Sequence, residues 1–153
     1  MMRRPHVLSA AALVLALSLT ACGGDDDEGS DGGSGGASSD ITKAEFVEQG
    51  NAICAAGNEE LRVAAEPIDS SDQAAIEAYA TDVLVPNIRG QLDDLRDLGF
   101  PEADADVLES TLADADAVLD DVEADPSLIT STDDPFSEVN DTLTEYGLVE
   151  CGS

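Results

Sequence analysis

The chain has 153 residues, with 34 acidic side chains against six basic ones, a formal charge of −28. So negative a surface repels nucleic acid and anionic lipid headgroups, which excludes both as direct partners. Aromatic residues make up only 3% and tryptophan is absent, so the core has to be built from Leu, Val, Ile and Ala, a composition that favours helices.

Met1 to His6 form a short basic flank. Val7 to Leu19 follow as 13 residues in which Ser9 and Ser18 are the only polar side chains. That length suits the apolar part of a secretory leader and is too short to span about 30 Å of hydrocarbon. The run ends in Leu19-Thr20-Ala21-Cys22, where small residues lead into a cysteine. This reads as a bacterial lipoprotein signal, cut before Cys22, whose thiol then carries a diacylglycerol. One acyl chain holds a protein only marginally, whereas two hold it durably. The expected location is therefore the extracytoplasmic face of the cell membrane, with the bilayer as a partner through Cys22. Arg3-Arg4 lacks the rest of a twin-arginine signal. Cleavage removes His6, the only histidine, and two of the six cations, Arg3 and Arg4, so the charge moves from −28 to −30.

Residues 1–21 are thus expected as a signal peptide and 22–40 as the lipidated cysteine with a tether. Residues 41–153 form one helical domain, long enough for a single modest core. The tether is Gly, Ser and Asp with almost no apolar side chain, a composition that stays disordered.

At Ile41 the composition changes. Thr42 and Glu45 fit a capping box, with Ile41 and Phe46 placed as a staple across it. The helix is expected to run to about Glu66, before Pro67. Phe46, Gly50, Ile53, Gly57, Leu61 and Ala64 form its apolar stripe. Gly50 and Gly57 lie seven apart on that stripe: either they let a neighbouring helix come close, or they simply cost about 1 kcal/mol each relative to Ala. A second helix is expected from a Ser70–Gln73 capping box, with a kink or break around Leu84–Pro86 and a stop at Gly99-Phe100-Pro101. A third runs from about Glu102 to Ala124, and residues 127–133 read as a loop. Asp134-Pro135 looks like an N-cap with a first-turn proline. It opens a short fourth helix with Phe136, Val139, Leu143 and Tyr146 on one face and Gly147 at its end. No alternating strand pattern of useful length occurs. The expected fold is all-α, a four-helix, up-down bundle.

Cys54 and Cys151 remain once Cys22 is lipidated, and outside the membrane such an even pair is expected to form a disulfide. A two-thiolate metal site would need further soft or imidazole ligands, and the cleaved chain has no histidine to supply one. No metal site and no cofactor are expected.

Three segments carry a resemblance. They are Phe46 through Asn51-Ala52-Ile53-Cys54, Pro86-x-x-Arg89-x-Gln91-Leu92-x-x-Leu95-Arg96-x-Leu98 leading to Pro101, and Tyr146-Gly147-Leu148-x-x-Cys151-Gly152. Together they resemble small helical lipoproteins of actinobacteria, a group with no established activity. The resemblance implies the anchor, the helical fold and the Cys54–Cys151 pairing, and it carries over no functional residue.

Without histidine, imidazole-dependent nucleophile systems are excluded, and no segment matches a calcium loop. No catalytic residues are assigned and an enzyme is not expected. Arg89 and Arg96 lie seven apart on one helix face. Either they pair with nearby acids such as Asp93 and Asp97, or they are candidate contacts for an anion or partner. Two functions follow from these readings. The first is a non-enzymatic envelope module binding a protein, peptide or glycan. The alternative is a carrier of a small ligand or of cations such as Ca²⁺ on its acidic helix faces.

Overall fold

The computed structural model describes residues 41–153, and the leader, Cys22 and tether expected over 1–40 lie outside them. The described residues form helices joined by turns: α1 (Lys43–Ala65), α2 (Gln73–Tyr79), a π-helical turn (Ala80–Leu84), α3 (Val85–Asp97), α4 (Ala105–Ala124), a 3₁₀ turn (Pro126–Thr130) and α5 (Ser137–Tyr146). Because α2, the π turn and α3 follow one another without interruption, four helical arms result. None is long and apolar enough to cross a membrane.

The starts and stops follow from short-range chemistry. Thr42 Oγ1 accepts from the Glu45 backbone N–H, while the Glu45 carboxylate accepts from the Thr42 N–H at 3.0 Å, completing the expected capping box. The same contacts hold the Glu45 carboxyl below its ordinary pKa. The Ser70–Gln73 box does not form. Asp69 draws Ser71 into a local turn at 2.9 Å, and Asp72 caps α2 instead by accepting from the Ala75 N–H.

The break expected at Leu84–Pro86 takes the form of a widened turn in which the Val85 N–H reaches back five residues to Ala80 O. Pro86 has no N–H to donate, and its ring collides with the carbonyl four residues back in a regular helix. The wider turn accommodates it without interrupting the rod.

Three boundaries move from their expected places. α4 begins at Ala105 rather than Glu102, because Pro101 to Asp104 close a turn first and the Asp104 carboxylate is engaged elsewhere. Part of the expected 127–133 loop is a 3₁₀ turn, started by Asp125 Oδ1 accepting from Ser127 N–H, and it lays Leu128 and Ile129 against the core. The Asp134-Pro135 signal forms a turn, with Asp134 Oδ1 accepting from Phe136 N–H at 2.9 Å, and α5 starts two residues later at Ser137.

Cross-helix contacts give the arms their direction. Tyr79 donates to Leu61 O while Asn87 donates to Glu60, so α1 and the α2–α3 rod run antiparallel. Arg89 reaches Asp120 while Arg96 reaches Asp116, so α3 and α4 do as well. Tyr146, at the end of α5, meets Asp104 just before α4. The bundle is therefore up-down-up-down. At one end Phe46, wholly buried, takes the edges of Phe100 and Tyr146 at ring separations of 5.8 and 6.2 Å. Away from that end the buried core is aliphatic: Leu92, Leu95, Leu112, Leu119 and Val122.

The last residues fold back onto α1. Gly147 adopts φ 116°, and the Leu148 N–H bonds to Leu143 O, six residues closed into a Schellman cap. Leu148 is fully buried over Gly50, where an added Cβ would lie 2.6 Å from its Cδ2 and 3.0 Å from Leu95 Cδ2. The bare Cα of Gly50 is what lets these side chains in. Gly57 plays the same part for Gln91. The Cys54–Cys151 disulfide then ties α1 to the tail, with its cysteine Cα atoms 5.0 Å apart.

Candidate functional site

Arg89 and Arg96 project from α3 toward α4. Their main partners are not the neighbours on their own helix but carboxylates one helix across. Asp116 lies between them, 2.5 Å from Arg96 Nη2 and 4.0 Å from Arg89 Nη1. Arg89 also holds Asp120 at 2.6 Å and Glu123 at 3.2 Å. Arg96 keeps one local acid, Asp93 at 3.3 Å, and donates to Leu112 O. An incoming anion has to compete with these carboxylates, so the pair reads as a clasp between α3 and α4.

The remaining two described cations are engaged as well. Arg62 holds Glu59 and Glu66 on its own helix. Lys43 sits 3.8 Å over the Tyr146 ring and 3.9 Å from Asp104. The Tyr146 hydroxyl donates to the same Asp104 carboxylate at 2.9 Å, and burial with that bond pushes its pKa well above the ordinary tyrosine value.

A cavity of about 210 Å³ opens in the aliphatic half of the bundle, beside the disulfide. Its floor is apolar: Leu92, Leu95 and Leu143, with Ala115 from α4. Leu61, Leu84, Ile88 and Phe136 form a half-buried rim. Three amides, Asn58, Gln91 and Asn140, complete the wall with Cys54, Cys151 and Ser153. Among the described residues no ionisable side chain lines it.

The amides differ in their commitments. Asn58 Nδ2 donates to Glu150 O at 2.6 Å and to Ser153 Oγ, clamping the tail at the cavity wall. Gln91 donates to Asn87 Oδ1 at 2.7 Å, while its own carbonyl oxygen accepts no hydrogen bond among the described residues. The Asn140 amide makes none there. A second clamp, Asn51, donates to Gly147 O and accepts from the Glu150 N–H. The tail is therefore held by hydrogen bonds as well as by sulfur.

A shallower groove of about 680 Å³ runs between α4 and α5, lined by Asp114, Glu138, Asp141 and Glu145. Among the described residues no three His, Cys, Asp or Glu side chains converge as metal ligands do.

Sequence reasoning placed Cys54, Cys151, Arg89 and Arg96 but did not find the cavity. A void is the remainder after every neighbouring volume is counted, and no spacing announces it. The one available signal was scarce aromatic bulk, two of whose three phenylalanines pack at the far end. Compared with known protein families, curated proteins and solved structures, the chain matches none.

Proposed function

We propose that this protein is a lipid-anchored, non-enzymatic binding module of the cell envelope, held at the extracytoplasmic face through Cys22. The single observation that carries the binding half is the cavity. Ligand sites are concave, mostly apolar and equipped with a few convergent polar groups, and this one has that make-up. Among the described residues its lining offers no ionisable side chain to move a proton, and the chain after Cys22 contains no histidine.

The anchoring half rests on the leader ending in Leu19-Thr20-Ala21-Cys22 and on the resemblance to small actinobacterial lipoproteins. A disulfide between Cys54 and Cys151 agrees with an oxidising compartment. The test is mass spectrometry of protein extracted from its own cells. Denatured, the mature chain should begin at Cys22 and carry a diacylglycerol mass. Under native conditions it should retain a small noncovalent mass. An unacylated Cys22 overturns the anchor, and a ligand-free native mass under every extraction condition overturns the binding module.

A second reading, cation or basic-partner binding, is favoured by the α4–α5 groove. Its four carboxylates make no ion pair among the described residues. Calorimetry with Ca²⁺ at 0.15 M NaCl tests it, because diffuse attraction is screened there while coordination persists.

A further inference from the structure

We infer that the cavity takes a small neutral amphiphile, with its apolar body against Leu92, Leu95 and Leu143 and a hydrogen-bonding head at the amides. This inference rests on the binding reading above and specifies its ligand.

Size sets the first bound. A cavity of about 150 Å³ holds a benzene molecule, so 210 Å³ admits a compact molecule somewhat larger. Charge sets the second. An ion entering among these side chains exchanges its hydration for a lining with no charged side chain among the described residues, which is unfavourable. Anions are further repelled by a chain of net charge −28.

The amides set the third bound. The Asn140 amide and the Gln91 carbonyl oxygen have no hydrogen-bond partner among the described residues, and neither is sealed from solvent, so both are open to an entering molecule. Between them they offer a donor and an acceptor to a hydroxyl or carbonyl head. A wholly apolar guest leaves both unused.

Two features of the fold make the site preformed. The disulfide and the Asn58 clamp fix the tail that supplies Cys151 and Ser153 to the wall. The π turn at Ala80–Leu84 lies beside it, with Leu84 and Ile88 at the rim, and such turns recur at functional sites. A wall already in place spares the guest the ordering penalty of building one.

The experiment titrates the lipidated mature protein, in detergent micelles, with benzyl alcohol, toluene and benzoate, following backbone amide chemical shifts. Benzyl alcohol should shift residues of α1, α3 and α5 around the cavity. Toluene should bind at least five-fold more weakly and benzoate at least ten-fold more weakly. Ala115→Leu, filling the floor, should weaken benzyl alcohol at least ten-fold. Ile88→Phe fills the rim with less demand on the core and should do the same if Ala115→Leu fails to fold. Asn140→Leu should abolish the preference for benzyl alcohol over toluene. Benzoate binding as well as benzyl alcohol overturns the neutral class and leaves the binding module standing. No localised shift from any of the three at millimolar concentration, in the lipidated protein or in Cys22→Ala, overturns both. Binding that appears only after Cys22→Ala assigns the cavity to the chain's own acyl group and overturns a diffusible ligand.

Discussion

Replacing Cys54 and Cys151 by alanine, in a chain whose Cys22 is also alanine so that no third thiol intervenes, isolates what the cross-link does. The native state has other means of holding the tail. Asn51 bonds Gly147 O at 3.0 Å and the Glu150 N–H at 2.9 Å, Asn58 bonds Glu150 O at 2.6 Å, and Leu148 is fully buried. The folded structure should therefore survive, and the loss should arise mainly in the denatured ensemble. The two cysteines are 97 residues apart. Closing a loop of that length removes chain entropy equivalent to about 4.7 kcal/mol at 25 °C, an upper figure. For a domain of 113 residues, unfolding entropy near 2.1 cal/mol/K per residue converts each kcal/mol into about 4 °C. Melting should thus fall by roughly 15–20 °C, with urea midpoints moving in proportion and the slope of the urea transition rising as the freed chain expands. The assay is paired thermal and urea denaturation followed by circular dichroism. A loss below about 1 kcal/mol refutes the reasoning, since it means the unfolded chain is already confined without the bond.

The other expectations are more local. Gly50→Ala forces a methyl against Leu148 and Leu95 and should lower stability by about 1–3 kcal/mol. Gly90→Ala, with nothing within 4 Å of the added carbon, should raise it by about 0.5–1 kcal/mol. Equal signs in the two urea titrations count against close packing at Gly50. Asp116→Asn removes the carboxylate between Arg89 and Arg96 and should reduce stability by about 1 kcal/mol, more at low salt. A double-mutant cycle with Arg96→Gln giving no coupling energy rejects the clasp. Melting temperature should rise with added NaCl, because salt screens the self-repulsion of so acidic a chain. A flat response rules out repulsion as a major destabilising influence. Tyr146 keeps its proton in the folded state beyond the ordinary tyrosine pKa of about 10. Its stabilising contribution is therefore complete below that pH and is lost as pH rises through the higher folded-state value. Absorbance titration at 295 nm against Tyr146→Phe checks this, and ionisation of Tyr146 near pH 10 in the intact fold contradicts it.

Much of the fold was legible where one short-range rule acted without a rival. The Thr42–Glu45 box and the positive-φ caps at Gly99 and Gly147 formed as their spacing implied, and the α1 stripe is buried at Phe46, Gly50 and Gly57, with Cys54 buried beside it and Ile53, Leu61 and Ala64 half-buried. The misplaced boundaries share a cause. Several side chains were competent for the same duty, and local turns or tertiary contacts chose among them. Asp72 rather than Ser70 caps α2 because Asp69 and Ser71 are already paired. Asp104 stands before α4, yet its carboxylate serves Tyr146 and Lys43. Asp125-Pro126 carries the same opening signal as Asp134-Pro135, but it directly follows the last residue expected of the third helix, where a proline equally well marks an end, and so the 3₁₀ turn is hidden in the sequence. The arginine pair was visible in sequence, whereas its cross-helix partners depend on how α3 lies against α4.

The bond joining α1 to the tail encloses every interhelix connection, from Glu66 to Asp72, Leu98 to Asp104 and Asp125 to Phe136. A protease that nicks any one of them opens a ring without releasing a fragment, since each half keeps one end of the sulfur bridge. Damage by a single cut therefore stays on the same molecule, and separating the pieces requires a reductant as well.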